Sequence, residues 1–202
     1  MKWKTWERVL AVALALTVAL SWTGLSAASE DIPTRVLRLH VIANSDTDAD
    51  QALKLKVRDR VLRESGAWMS AAKTREQAQD AAQAHLAQMQ AAAQDELRKN
   101  GNRDAVRVTL EDAYFPTRQY ENVTLPAGTY RALRVVIGAG KGHNWWCVLF
   151  PALCLPSAEG EAQLSDVLTG PEKDFVTSPY QIKFKSVEWL EQFQNWCRSF
   201  GK

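Results

Sequence analysis

The chain has 202 residues, 46% hydrophobic and 24% charged, with 25 Lys+Arg against 23 Asp+Glu. Lys2, Lys4 and Arg8 with Glu7 fall in residues 1–28, so the remainder carries 22 residues of each sign and is formally neutral. That balance excludes the basic footprint of a nucleic-acid-binding protein and a surface strongly drawn to anionic lipid.

Residues 1–28 have the form of a secretory signal peptide: a basic start, an apolar run over residues 9–22, then Ser26-Ala27-Ala28, small residues where a signal peptidase reads. The run is ~14 residues against the ~20 that a spanning helix needs, which favours cleavage over a retained anchor. About 174 residues remain, enough for one core that buries roughly 70% of the unfolded surface. Residues 29–34 read as a short tether and residues 35–202 as a single domain.

Residues 35–43 alternate Leu37, Leu39 and Val41 with Arg38 and His40, flanked by Val36 and Ile42, which predicts a largely buried first strand. Asn44-Ser45-Asp46-Thr47-Asp48 follows as a helix start, where side-chain oxygens accept the free N–H groups of the first turn. The helix runs over residues 49–65, with Leu53, Val57 and Val61 inward and Lys54, Lys56, Arg58 and Arg60 outward, and Gly66 closes it. Thr74-x-x-Gln77 then caps a second helix reaching Lys99, with Ala78, Ala82, Leu86, Met89, Ala93 and Leu97 as its stripe.

From Ala105 the period becomes two, so Val106, Val108 and Leu110 mark a strand that runs to Phe115. Residues 120–125 are a weaker strand ended by the turn Pro126-Ala127-Gly128, and residues 130–137 are another. A glycine-rich loop, Gly138-x-Gly140-x-Gly142, leads into residues 144–150, whose two tryptophans mark a buried strand, read as the central one and as the hairpin partner of residues 130–137. Residues 157–179 read as a loop with a short helix over residues 162–168. Residues 180–185 alternate as a last strand, and Ser186 caps a terminal helix. The fold class is α+β: a mostly antiparallel sheet with helices packed on it, in the order β-α-α-β-β-β-β-α.

The residues that carry chemistry are few. Trp145 and Trp146 are adjacent on a strand and so point to opposite faces, which leaves one of them for a partner unless both faces are covered. His40 lies near the end of the first strand, followed by Asn44 and Asp46, where α/β sheets often place sites. His143 and Cys147 sit four apart, the spacing of a thiol–imidazole dyad in a rival reading as an exported hydrolase of cell-wall or thiol type, which otherwise uses His40. Cys147, Cys154 and Cys197 allow one disulfide in an exported chain. Cys147 with Cys154 is preferred because Pro151 between them permits a reversal, and Cys154 with Cys197 is the alternative. No Cys-x-x-Cys or His-x-x-x-His pair signals a metal. Asp46, Asp48 and Asp50 lack the glycine and closing glutamate of a calcium loop, and the glycine loop lacks the lysine–hydroxyl signature of a phosphate loop. No cofactor or metal is expected.

Leu39-His40-Val41-Ile42-Ala43-Asn44-Ser45-Asp46 with Gln51-Ala52-Leu53-Lys54-Leu55-Lys56-Val57-Arg58-Asp59 resembles the stage II sporulation protein R family. So do Leu125-Pro126-Ala127-Gly128, Asn144-Trp145-Trp146-Cys147-Val148-Leu149-Phe150-Pro151 with Cys154, and Lys183-Phe184-Lys185-Ser186-Val187-Glu188. Ala152 departs from the Pro that usually follows Phe-Pro in that family. The resemblance implies a non-enzymatic signalling protein made in the forespore and exported to the space between the forespore and mother-cell membranes. There it would activate a membrane-embedded aspartic protease that processes a mother-cell sigma-factor precursor. Membrane contact is then expected only through the signal peptide or the partner. The expected contact surface comprises His143, Asn144, Trp145 and Trp146 with the turn of His40, Asn44 and Asp46.

Overall fold

The computed structural model describes residues 6, 8–14, 31–120, 123–151, 153, 164 and 167–177. Its centre is a four-stranded sheet built from β1 (Leu37–Ile42), β2 (Val106–Phe115), β5 (Gly128–Ile137) and β6 (Asn144–Phe150), in the order β2-β5-β1-β6. β3 (Arg118–Tyr120) and β4 (Val123–Leu125) form a separate antiparallel hairpin. α1 (Asp48–Met69), α2 (Arg75–Ala84) and α3 (Leu86–Lys99) connect β1 to β2, and α4 (Gly170–Thr177) comes last among the described residues. The class is α+β. β2 with β5 and β1 with β6 are antiparallel, while β1 and β5 run parallel.

The tryptophan strand is therefore not central, and it does not form a hairpin with β5: β1 lies between them. All six residues of β1 are buried, as befits a strand covered on both faces and flanked on both edges. β6 opens with exposed Asn144 and half-buried Trp145 and Trp146. The hairpin reading failed because residues 138–143 do more than turn: they cross the end of β1, held by Lys141 N–H on Asn44 O (3.1 Å) and Gly142 N–H on Ala43 O (3.0 Å).

The sheet separates two apolar clusters. On one face Leu37, Leu39, Val41, Val135 and Cys147 meet Leu53, Val57, Val61, Met89 and Leu97 of the helices. On the other, Phe115, Tyr130, Ala132 and Val148 meet Val123 and Leu125 of the hairpin, Phe175 and Val176 of α4, and Ile32. Residues 31–35, in the stretch expected to be a tether, are helical, and Ile32 is fully buried.

The helices follow the apolar periodicity but end elsewhere than expected. Thr47 caps α1 by accepting the Asp50 N–H, and the helix continues through Gly66 to Met69. Nothing lies within 4 Å of a Cβ built on Gly66, so this glycine is tolerated as an ordinary helical residue rather than as a terminator. Thr74 caps α2 through the Gln77 N–H. The expected long helix breaks at His85, whose N–H is shared between Ala81 O and Ala82 O while its ring stacks on Trp68 at 5.0 Å. Its buried stripe of Ala78, Ala82, Met89, Ala93 and Leu97 is as the spacing predicts. α4 lies in the stretch read as loop. The expected last strand and terminal helix fall outside the described residues.

Candidate functional site

Two loops interlock where β1 ends and β6 begins. The turn after β1 (residues 43–47) is threaded by the glycine loop (residues 138–143), and the glycines are there because nothing larger fits. Gly138 has φ +55, and a Cβ on it would stand 2.3 Å from Asn44 Oδ1. A Cβ on Gly142 would stand 2.2 Å from the Ser45 carbonyl oxygen. Asn44 joins the two loops: its Oδ1 accepts the Ala139 N–H (2.9 Å) while its Nδ2 donates to Asp50 (3.0 Å).

Asp46 reaches across to His143, accepting its backbone N–H at 2.6 Å and its ring Nδ1 at 2.5 Å. These bonds from His143 hold the Asp46 carboxyl below its ordinary pKa. The Ser45 hydroxyl donates to Asp50 at 2.5 Å, and that bond, with the Asn44 amide, lowers the Asp50 pKa. Lys54, expected to face outward, is buried; it donates to Gln51 Oε1 (2.5 Å) and to the His143 carbonyl (3.0 Å). Burial lowers its pKa.

The tryptophans of β6 do point to opposite faces, and both are half-buried. Trp145 lies on the helix side under the Arg58 guanidinium, 4.2 Å from the ring centroid. Trp146 lies on the hairpin side, stacked on His40 at 3.9 Å and edge-on to Phe115 at 4.7 Å. His40 is 6% exposed, and neither ring nitrogen has a partner in hydrogen-bond geometry. Burial pushes its pKa down to about 4, partly offset by the nearby Asn144 side chain.

Sequence reasoning missed Arg38, two residues before His40 on the same face of β1. It is fully buried, donating from Nε to Cys147 O (2.9 Å) and from an Nη to Tyr120 Oη (2.6 Å). Its guanidinium carbon lies 4.3 Å from the Phe115 centroid and 4.8 Å from that of Tyr130. The signal was an arginine inside a strand of otherwise apolar residues, which needs either solvent or partners. Arg134 and Glu111 pair across β5 and β2 at 2.8 Å.

His143, Asn44 and Asp46 are thus brought together, with Asn144 beside them at the start of β6. His40 and Trp146 form a second group on the hairpin face, and Trp145 stands apart on the helix face. The His143–Cys147 dyad is not assembled: His143 is turned to Asp46 and exposed, whereas Cys147 is fully buried and disulfide-bonded. Cys154 and Cys197 both lie outside the described residues.

The family model described as stage II sporulation protein R matches residues 33–160, a span that holds β1 through β6 and the interlocked loops. Stage II sporulation protein R of Bacillus subtilis (strain 168) is 40% identical over 182 residues, covering 79% of this chain and 81% of that protein. No solved structure matches. The chain belongs to the stage II sporulation protein R family, and its role lies in sporulation.

Proposed function

We propose that this chain is an exported signalling protein, sent from the forespore into the space between the forespore and mother-cell membranes, where it activates a membrane-embedded aspartic protease that processes a mother-cell sigma-factor precursor. Family membership and the basic-then-apolar start of the chain support that route. One observation carries the choice of binding over catalysis: among the described residues no nucleophile stands free beside a base. The candidate nucleophiles are committed elsewhere: Ser45 donates to Asp50, Lys54 donates to Gln51 and to the His143 carbonyl, and Cys147 is in a disulfide. A nucleophile needs a free base beside it, whereas a docking surface needs rigidity and aromatic anchors. The activator acts by binding one state of the protease better than another and so shifting its equilibrium.

The test is reconstitution in vegetative cells: this chain, the protease and the sigma precursor are expressed together, with and without residues 1–28, and precursor cleavage is followed by immunoblot. Cleavage that needs all three components and the leader is the expected result. A folded, exported chain that yields no cleavage overturns the reading.

A further inference from the structure

Among the described residues, only half of the sheet face opposite the helices is covered. Around Phe115, Tyr130 and Val148 it lies under the hairpin and α4. Toward the interlocked loops it carries a row in register across all four strands, Thr109, Arg134, His40 and Trp146, with Arg107, Val136, Ile42 and Asn144 in the next row. Arg107 and Asn144 are exposed, and Thr109, Arg134, Val136 and Trp146 are half-buried.

Donors outnumber acceptors here. Arg134 Nε, one Nη of Arg38 and the single N–H of the neutral His40 ring are buried without a hydrogen-bond partner, and Arg38 and His40 are each more than nine-tenths buried. Glu111 accepts from the Nη1 of Arg134 and from the Thr109 hydroxyl. Three guanidinium groups, of Arg38, Arg107 and Arg134, thus share a face with a single carboxylate among the described residues. Of these groups Arg107 and Arg134 reach the surface, and an incoming carboxylate offers their guanidinium groups the acceptors that the face lacks.

We propose that this half-face, from Arg107 to Trp146, is a docking surface for an acidic, extended segment of a partner protein. The row spans three strand spacings, roughly 14 Å, longer than one small anion and suited to a peptide carrying several carboxylates. Trp146, held by ring contacts with His40 and Phe115 at the edge of the row, supplies the aromatic anchor. That the partner is the protease rests on the activator reading; the preference of the face for carboxylates does not.

The full chain, isotope-labelled, is titrated with a hexaglutamate peptide, with hexalysine and sodium acetate at equal charge as comparators. Saturable shifts at Thr109, Arg134, His40, Asn144 and Trp146 with hexaglutamate alone are expected. Arg107→Glu, an exposed position, weakens that binding about tenfold, and Arg134→Gln does so without reversing the charge. Shifts on the helix side, equal response to hexalysine, or unchanged affinity in both variants would overturn the surface, and equal response to acetate would overturn a protein segment as its occupant. In the reconstituted cells Arg107→Glu loses precursor cleavage. If it cleaves like wild type, the protease is not the partner. If wild type itself fails to cleave, the activator reading falls while the titration still decides the face.

Discussion

The two faces of the sheet are covered by different means. On the helix face the fully buried strand residues are apolar, with Arg131 paired to Asp112 farther along, and the helices present Leu, Val, Met and Ala at helical spacing. On the hairpin face the same strands bury Arg38 and His40 against Phe115, Tyr130 and Trp146, with a guanidinium and an imidazole left short of partners. Apolar packing is the cheaper way to cover a sheet, so polar groups retained under cover point to a use other than stability. The helix face is the larger apolar core; the hairpin face is where polar side chains are buried among aromatic rings.

The largest effect should come from the interlocked loops, which lock both faces at one end. Gly142→Ala places a methyl against the Ser45 carbonyl, a backbone atom that cannot step aside. It should cost about 4 kcal/mol in urea unfolding. Gly66→Ala, with open space around it in α1, is the matched control and should gain up to about 1 kcal/mol. Equal responses at the two glycines would mean that the loops are not interlocked.

Next is the contrast between neighbours on β1. Leu39→Ala opens a cavity in the helix-face core and should cost about 3 kcal/mol. Arg38→Met loses two hydrogen bonds but also removes a buried charge with no carboxylate at hand, so it should stay within about 1 kcal/mol of wild type. If Arg38→Met costs as much as Leu39→Ala, the guanidinium is a structural pillar and the faces do not differ in kind.

Much of this contrast was legible in the sequence on one side only. Period-four apolar residues gave α1 and its inward Leu53, Val57 and Val61 because burial on one stripe leaves a direct pattern. The helix caps at Thr47 and Thr74 were equally local. The place of β1 between β5 and β6 was not readable, because strand order depends on how a loop travels, and a glycine-rich loop serves a hairpin and a crossover equally well. Grouping His143, Asn44 and Asp46 came from their positions at strand ends, yet the bond between Asp46 and His143 spans residues 97 apart in sequence. Lys54 was misplaced because helical spacing puts it at the edge of the stripe, and only the arrival of the His143 carbonyl makes burial of its ammonium tolerable.

The smallest expected effect tests the hairpin face by pH. His40 ordinarily titrates near 6.5, and burial holds it at about 4 in the folded chain. Unfolding between those values therefore takes up a proton, so stability from this group is whole above pH 6.5 and is lost as pH falls toward 4. At pH 5 the loss should be about 2 kcal/mol relative to pH 7.5. Asp46, Asp50 and Glu111, whose pKa values are lowered, lose their contributions as pH falls from the ordinary carboxylate range downward, below most of the His40 window. Urea unfolding of wild type and His40→Gln at pH 7.5, 6, 5 and 4.5 isolates the term: the variant should be flat to pH 5 where wild type declines. A wild-type profile as flat as the variant's would mean that the imidazole finds a partner or solvent when charged, and the distinction drawn between the two faces would lose its main support.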